Sequence, residues 1–492
     1  MDARQHRLWP VVLAVQLGVL LAALEATIVG TAMPTVIAML GDVTLYPWVF
    51  SAYMLASTGV MPVFGGVSDR FGRKGPYLVA TVIFCVGSLV AGAAPSMLVL
   101  IAGRVLQGIG AGGILALALI IFGDLFPGAR RGRMQAFITA MWGLASIVGP
   151  LVGGVIVDRW SWRWVFYLNL PLGALVIGLI GAAFRETAPS ASGRRLDVAG
   201  AAVFLAGVTA LLFAFLQPGA AGASGLLAPG RVVAAVIALG CVAVFLCIES
   251  VSPDPLLPLT LFRAAPFAGA CVAGFFSGAA MFGALVHVPI LVQWGQGTDA
   301  TTAGLSLMMM SGGWSLGGFL AGQLVNRLGF WRLGVTGTGL MSGGYVGLAT
   351  WPASTWPVLM MIGGIIGVGM GVASITLIVA VQTLTPRDQQ GVATAGLLFF
   401  RNIGATLGVA LMGAVLTARL GVQISSVPDG TRTLPPSLAS ALVEEIGLVF
   451  WLGTGAALLG LAGTFLLPGG SSVSGAQPSP EMLGSRRPGG SA

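Results

Sequence analysis

The chain has 492 residues, 56% hydrophobic and only 8% charged, where soluble domains carry roughly 25% charged residues. This excludes a soluble domain and indicates a polytopic helical membrane protein, since a β-barrel would show alternating segments of about ten residues. The net charge of +8 would suit nucleic acid, but the basic residues fall in short loops between apolar spans, so no nucleic-acid partner is expected.

A bilayer-crossing helix needs about 20 mostly apolar residues, and such runs recur along the chain. The first, 10–38, follows "MDARQHRLW", which has no small-residue cleavage site, and is expected to be a retained helix. It contains Glu25 at mid-span, where a charge costs at least about 2.5 kcal/mol. A carboxyl without a partner in a dry span keeps its proton, and one that faces water or a cation ionises. Glu25 is therefore the candidate for proton exchange, against the simpler role of a buried acid held by hydrogen bonds. Helix 2 (45–66) leads through "GGVSDRFGRK" into helix 3 (76–95). Helix 4 (98–122) sets Arg104, Gln107 and Gly108 on one face, with Asp124 just beyond. Arg104 either snorkels to the interface or faces the cavity and tunes Glu25. Gln107 is a candidate cavity residue.

Helix 5 (134–157) repeats small residues every fourth position, as Ala145, Gly149, Gly153 and as Ser146, Pro150, Gly154, which form smooth packing stripes. "DRWSWRWVFY" suits an aromatic belt, or substrate contact, before helix 6 (165–184). Helices 7 and 8 fall at 198–217 and 230–248. Helix 9 (266–293) carries His287, the one histidine inside a span. It is a possible second proton carrier or, more simply, a hydrogen-bonded structural group. In helix 10 (301–325) Met308 and Met309 offer soft cavity wall or plain packing. Helices 11, 12 and 13 follow at 333–351, 356–380 and 392–417. In helix 13, Arg401 reads as structural or snorkelling and Asn402 as a cavity residue. Helix 14 is 444–467, and the Gly/Ser/Pro-rich tail beyond Pro468 is expected to be disordered. Cys85, Cys241, Cys247 and Cys271 lie in apolar spans without metal-ligand spacing, so no metal is expected.

Fourteen spans put both termini on one side. With the termini cytoplasmic, outer loops hold only Arg159, Arg163, Arg231, Arg419 and Arg432 of the 24 basic residues, as the positive-inside rule asks. The chain also repeats itself. Gly65, Arg70 and Gly72 recur as Gly322, Arg327 and Gly329 at an offset of 257. Gly108, Gly110, Gly112, Pro127, Gly132 and Gly149 recur as Gly367, Gly369, Gly371, Pro386, Gly391 and Gly408 at 259. The ionisable groups do not recur: Arg104 aligns with Gly363, Gln107 with Ile366, Asp69 with Asn326, and Glu25 near Ala280. The expected division is a cytoplasmic N-terminus (1–9), a six-helix half (10–184), a linker with two inserted helices (185–265), a second half (266–467) and a tail (468–492). Two halves in parallel repeat, with a site between them, is a transporter architecture.

Several stretches resemble the major facilitator superfamily, over almost the whole chain. Gly65, Asp69, Arg70, Gly72, Arg73 and Lys74 look like its signature loop, "RVLQGIGAGG" like its helix 4 motif, and "GPLVGG" (Gly149, Pro150, Gly153, Gly154) like its antiporter motif. "LEATIVGTAMP" and "WRWVFYLNLP" resemble the 14-span drug:proton antiporter branch, which usually has Asp where this chain has Glu25. The resemblance implies the major facilitator fold, with two six-helix halves plus two inserted helices. It implies that Asp69 latches an inner gate in the outward-open state. Asp69 also lies where a carboxylate can face a helix N-terminus, and Arg73 is placed to pair with Asp124. The expected function is proton-coupled export of amphipathic or lipophilic, often cationic, compounds from a bacterial-type plasma membrane, by a monomer without cofactor. The alternatives are export of a lipid or self-made metabolite, and a non-transporting sensor or scaffold on a transporter fold. No Walker loop or nucleotide-binding region appears, so an ion gradient is the expected energy source.

Overall fold

The computed structural model describes residues 3–42, 45–125, 129–184, 198–216, 229–252, 259–386, 389–425 and 434–469. The tail read as disordered lies outside them. Among the described residues fourteen long helices follow one another: α1 (Ala3–Leu40), α2 (Tyr46–Phe71), α3 (Lys74–Gly92), α4 (Met97–Leu125), α5 (Ala129–Arg159), α6 (Arg163–Tyr167, continued through Leu168 into Asn169–Ala183), α7 (Val198–Leu216), α8 (Pro229–Val251), α9 (Ala265–Ile290), α10 (Ala300–Leu328), α11 (Phe330–Thr350), α12 (Trp356–Leu384), α13 (Gln390–Ser425) and α14 (Pro436–Thr464). Eleven are long and apolar enough to cross a membrane; α7, α10 and α11 are not among them. In α10 and α11, Gly, Ser and Thr dilute the apolar residues. Several helices outrun their expected limits, because an apolar run marks only the lipid-buried part. The start of α5, for example, is the polar stretch 129–135.

Helices α1–α6 pack on one another, as do α9–α14, and the halves meet through α5 on α10, α2 on α13 and α1 on α9. Inserted helix α7 pairs with α8 and touches both α2 and α13. The sequence repeat is a repeat of contacts. A Cβ on Gly108 or Gly112 would sit 2.5 and 2.3 Å from the carbonyl oxygens of Tyr53 and Ser57 in α2. One on Gly367 or Gly371 would sit 1.8 and 2.0 Å from those of Met310 and Trp314 in α10. Met310 and Trp314 stand at the same offset of 257 from Tyr53 and Ser57. Between these glycines, Gly110 faces α3 and Gly369 faces α11. Without water to drive helices together, such close backbone approach is what holds them. Gly72 (φ 86°) and Gly329 (φ 81°) end α2 and α10 alike, in a conformation that favours glycine.

The tightest contact between the halves lies where α5 ends and α10 begins. A Cβ on Gly154 would sit 2.6 Å from the Ala300 carbonyl oxygen, and one on Gly304 2.3 Å from that of Pro150.

Candidate functional site

Glu25 is completely buried at the middle of α1. One guanidinium nitrogen of Arg104, from α4, donates to its Oε1, and the Asn169 amide, from α6, donates to its Oε2. The same Arg104 Nη1 donates to Gln107 Oε1 (2.9 Å), and Gln107 Nε2 donates to Ser88 Oγ on α3 (2.8 Å). Ser88 also accepts from Asn169 (3.3 Å), which closes the ring. Arg104 Nε donates to the Val49 carbonyl (3.0 Å), and the guanidinium lies 4.2 Å over the Tyr53 ring. Glycine makes the meeting possible: a Cβ on Gly87 would sit 2.4 Å from Gln107 N, so α3 presses directly on α4 there.

The carboxylate thus stands beside a cation rather than unpartnered, and Arg104, only 1% exposed, does not snorkel. Arg104 also borders a small cavity of about 10 Å³ between the halves, room for about one water molecule. Phe50, Ser51, Tyr53 and Met54 line its near side, and Phe282, Ala405, Thr406 and Val409 the far side.

Other expected residues fall elsewhere. Gln107 faces α3 and holds Arg104, so it is not a lining residue of this pocket. Met308 and Met309 do not reach the pocket either, and Met309 is exposed. Asn402 donates to Thr58 Oγ1 on α2 (3.3 Å), a bond between halves. Arg401 turns inward along Gly278 of α9 and donates to Ser374 Oγ of α12 (3.3 Å) instead of snorkelling. His287 is buried, with Nδ1 2.8 Å from the Gly283 carbonyl and Nε2 2.7 Å from Tyr46 Oη on α2. A carbonyl only accepts, so Nδ1 carries the hydrogen and Nε2 accepts from the tyrosine.

The helix 5 stripes split between two neighbours. Gly149 and Gly153 press on Thr27, Thr31 and Ile28 of α1, while Pro150 and Gly154 press on α10. In the loop after α2, Arg73 Nη1 donates to Ser68 Oγ (2.9 Å) and Lys74 Nζ to the Gly181 carbonyl (2.7 Å). A Cβ on Gly65 would touch nothing here. The side chains of Asp69, Arg70 and Asp124 lie outside the described residues. Of the tryptophans around the start of α6, Trp160 (72%) and Trp164 (53%) are exposed as an aromatic belt requires, but Trp162 (1%) is core.

Sequence reasoning missed Asn169, Ser88 and Tyr53. Asn169 carried a signal, an amide inside the apolar run "LNLPLGAL". Ser88 and Tyr53 carried none, because their importance lies in partners far along the chain.

Two six-helix repeats, with a buried acid–arginine pair beside a small cavity between them, are a transporter architecture. The model described as "Major Facilitator Superfamily" matches residues 15–409, and the chain belongs to that superfamily. It is 35% identical over 436 residues to "Multidrug transporter protein MdtP" of Bacillus subtilis, covering 87% of this chain and 79% of the relative. It is 34% identical over 442 residues to "Multidrug resistance protein 3" of the same species, covering 89% and 84%. Among solved structures, a bacterial homologue of the human lysosomal transporter Spinster, inward-facing and occupied, matches with a TM-score of 0.65 at 15% identity, over 93% of this chain and 96% of that one.

Proposed function

We propose that the chain is a proton-coupled antiporter that exports amphipathic or lipophilic compounds, often cationic, by alternating access. The observation that carries this is the pairing of Glu25 with Arg104 at the wall of the pocket between the halves. A buried ion pair is poor material for stability, because desolvation offsets the attraction. A pair retained there is explained by a second state in which it is broken. A proton on Glu25 releases Arg104 from the carboxylate, and in a state where the cavity opens wider a cationic group competes for the same oxygens. Proton and substrate then occupy the site in turn, as antiport requires. Each pH unit of gradient supplies about 1.4 kcal/mol, and each charge crossing 100 mV about 2.3 kcal/mol.

With both termini cytoplasmic, the end where α5 meets α10 is the outer one, and this conformation is closed to the outside. The loop of Gly65, Asp69, Arg70, Gly72, Arg73 and Lys74, with Asp124, then latches the inner end in the opposite state. The names of relatives, multidrug transporters among them, support a broad substrate range.

The test is uptake of a panel of dyes and labelled lipids into proteoliposomes under an imposed pH gradient. Wild type concentrates lipophilic dyes, and Glu25→Gln, which keeps shape and removes titration, does not. A Gln variant that still drives uphill transport with wild-type pH dependence would place the coupling acid elsewhere.

A further inference from the structure

We propose that Asp158 is a positioning residue of the outer gate: it fastens α5 to the first turn of α10 and so sets how often the transporter opens outward. The proposal rests on alternating access as read above.

The first N–H groups of a helix have no partner within it. In α10, Asp299 serves as the N-cap and accepts from Thr302 N (2.8 Å). The two preceding N–H groups are taken by the other half of the molecule. Asp158 Oδ1 accepts from Ala300 N (3.1 Å) and Oδ2 from Thr301 N (2.7 Å), and the Thr301 hydroxyl donates to the same carboxylate. The charge also meets the positive end of the α10 dipole.

The contact is aligned from below. Pro150, Gly154 and Asp158 stand four residues apart on one face of α5. The first two lie against α10 backbone so closely that side chains on Gly154 and Gly304 would force the helices apart. The face is therefore one docking surface, smooth at its inner part and charged at its rim. Two further bonds cross between the halves near this end, Gln293 Nε2 to the Thr31 carbonyl (3.0 Å) and Tyr46 to His287.

The latch is also releasable. Asp158 and Thr301 are half-buried, so water can take over their hydrogen bonds when the end opens. Deeper in the bilayer the freed N–H groups would find no water and stay unsatisfied. Hydrogen bonds to charged groups contribute enough to shift a two-state population about tenfold or more.

The test uses the full chain, with its four native cysteines changed to alanine and Ala405→Cys placed in the pocket wall. A membrane-impermeant maleimide is applied to vesicles of each orientation. For the parent, labelling from the outer side should be slow. Asp158→Ala should speed outer labelling about tenfold and slow inner labelling, with Asp158→Glu between the two. A mere packing defect would raise both rates. Unchanged rates, or a rise from both sides, would overturn the latch. If the parent is labelled from one side only, whatever gradient or substrate is imposed, alternating access itself fails. If the parent is labelled from both sides and Asp158→Ala leaves the ratio unchanged, only the latch fails.

Discussion

Arg104 makes three polar contacts with one planar group, to Glu25, Gln107 and the Val49 carbonyl, while stacking on Tyr53. A lysine is a point charge on a flexible stem and cannot reproduce that fork. Arg104→Lys should therefore keep the chain inserted but lower gradient-driven transport about tenfold, as measured by initial rates in proteoliposomes. A lysine variant as active as wild type would mean that only the charge matters. Removing the charge, as in Arg104→Met, leaves a buried carboxylate uncompensated and should destabilise the protein by about 3–5 kcal/mol, visible in thermal unfolding. His287 is different. Both ring nitrogens are engaged between α9 and α2, an arrangement suited to a structural contact. His287→Gln should leave the pH profile of transport unchanged, and a shifted profile would restore it as a proton carrier.

At the scale of the helix, α5 shows why a stripe of small residues is legible and its partner is not. Spacing of four says that something packs closely, but not what. The structure assigns Gly149 to α1 in its own half and Gly154 to α10 in the other. Substitution should separate the two. Gly149→Val drives a side chain toward Thr27 Oγ1, 2.4 Å from an ideal Cβ, and should lower the unfolding temperature in detergent. Gly154→Val wedges the halves apart at the closed end, and should raise proton leak through proteoliposomes while changing stability less. Equal effects from both would mean that α5 is simply a packed helix without a gating face.

For the whole molecule, the repeat was legible because it is written in glycines against backbone, and backbone contact tolerates no other residue. The ring around Glu25 was legible only in part. Glu25, Arg104 and Gln107 announce themselves as large polar groups in apolar spans, whereas Ser88 and Tyr53 are ordinary in such helices and matter through distant partners. The pocket left no pattern at all, since Phe50, Met54, Phe282 and Val409 are the residues any core would use. Orientation is the remaining large-scale expectation, and it rests on charge alone. Arginine crowds the loops assigned to the cytoplasm, and the loops assigned outside hold only five of the 24 basic residues. A cysteine placed at Asp299, the cap of α10, should react with an impermeant maleimide added outside intact cells, while one at Arg195 should react only after permeabilisation. The same pattern is required if Asp158 guards the outer end, because Asp299 caps the helix that Asp158 holds. The reverse pattern would turn the molecule over in the membrane. Asp69 would then stand at the outer gate, the closed end seen here would face the cytoplasm, and the conformation would be outward-facing.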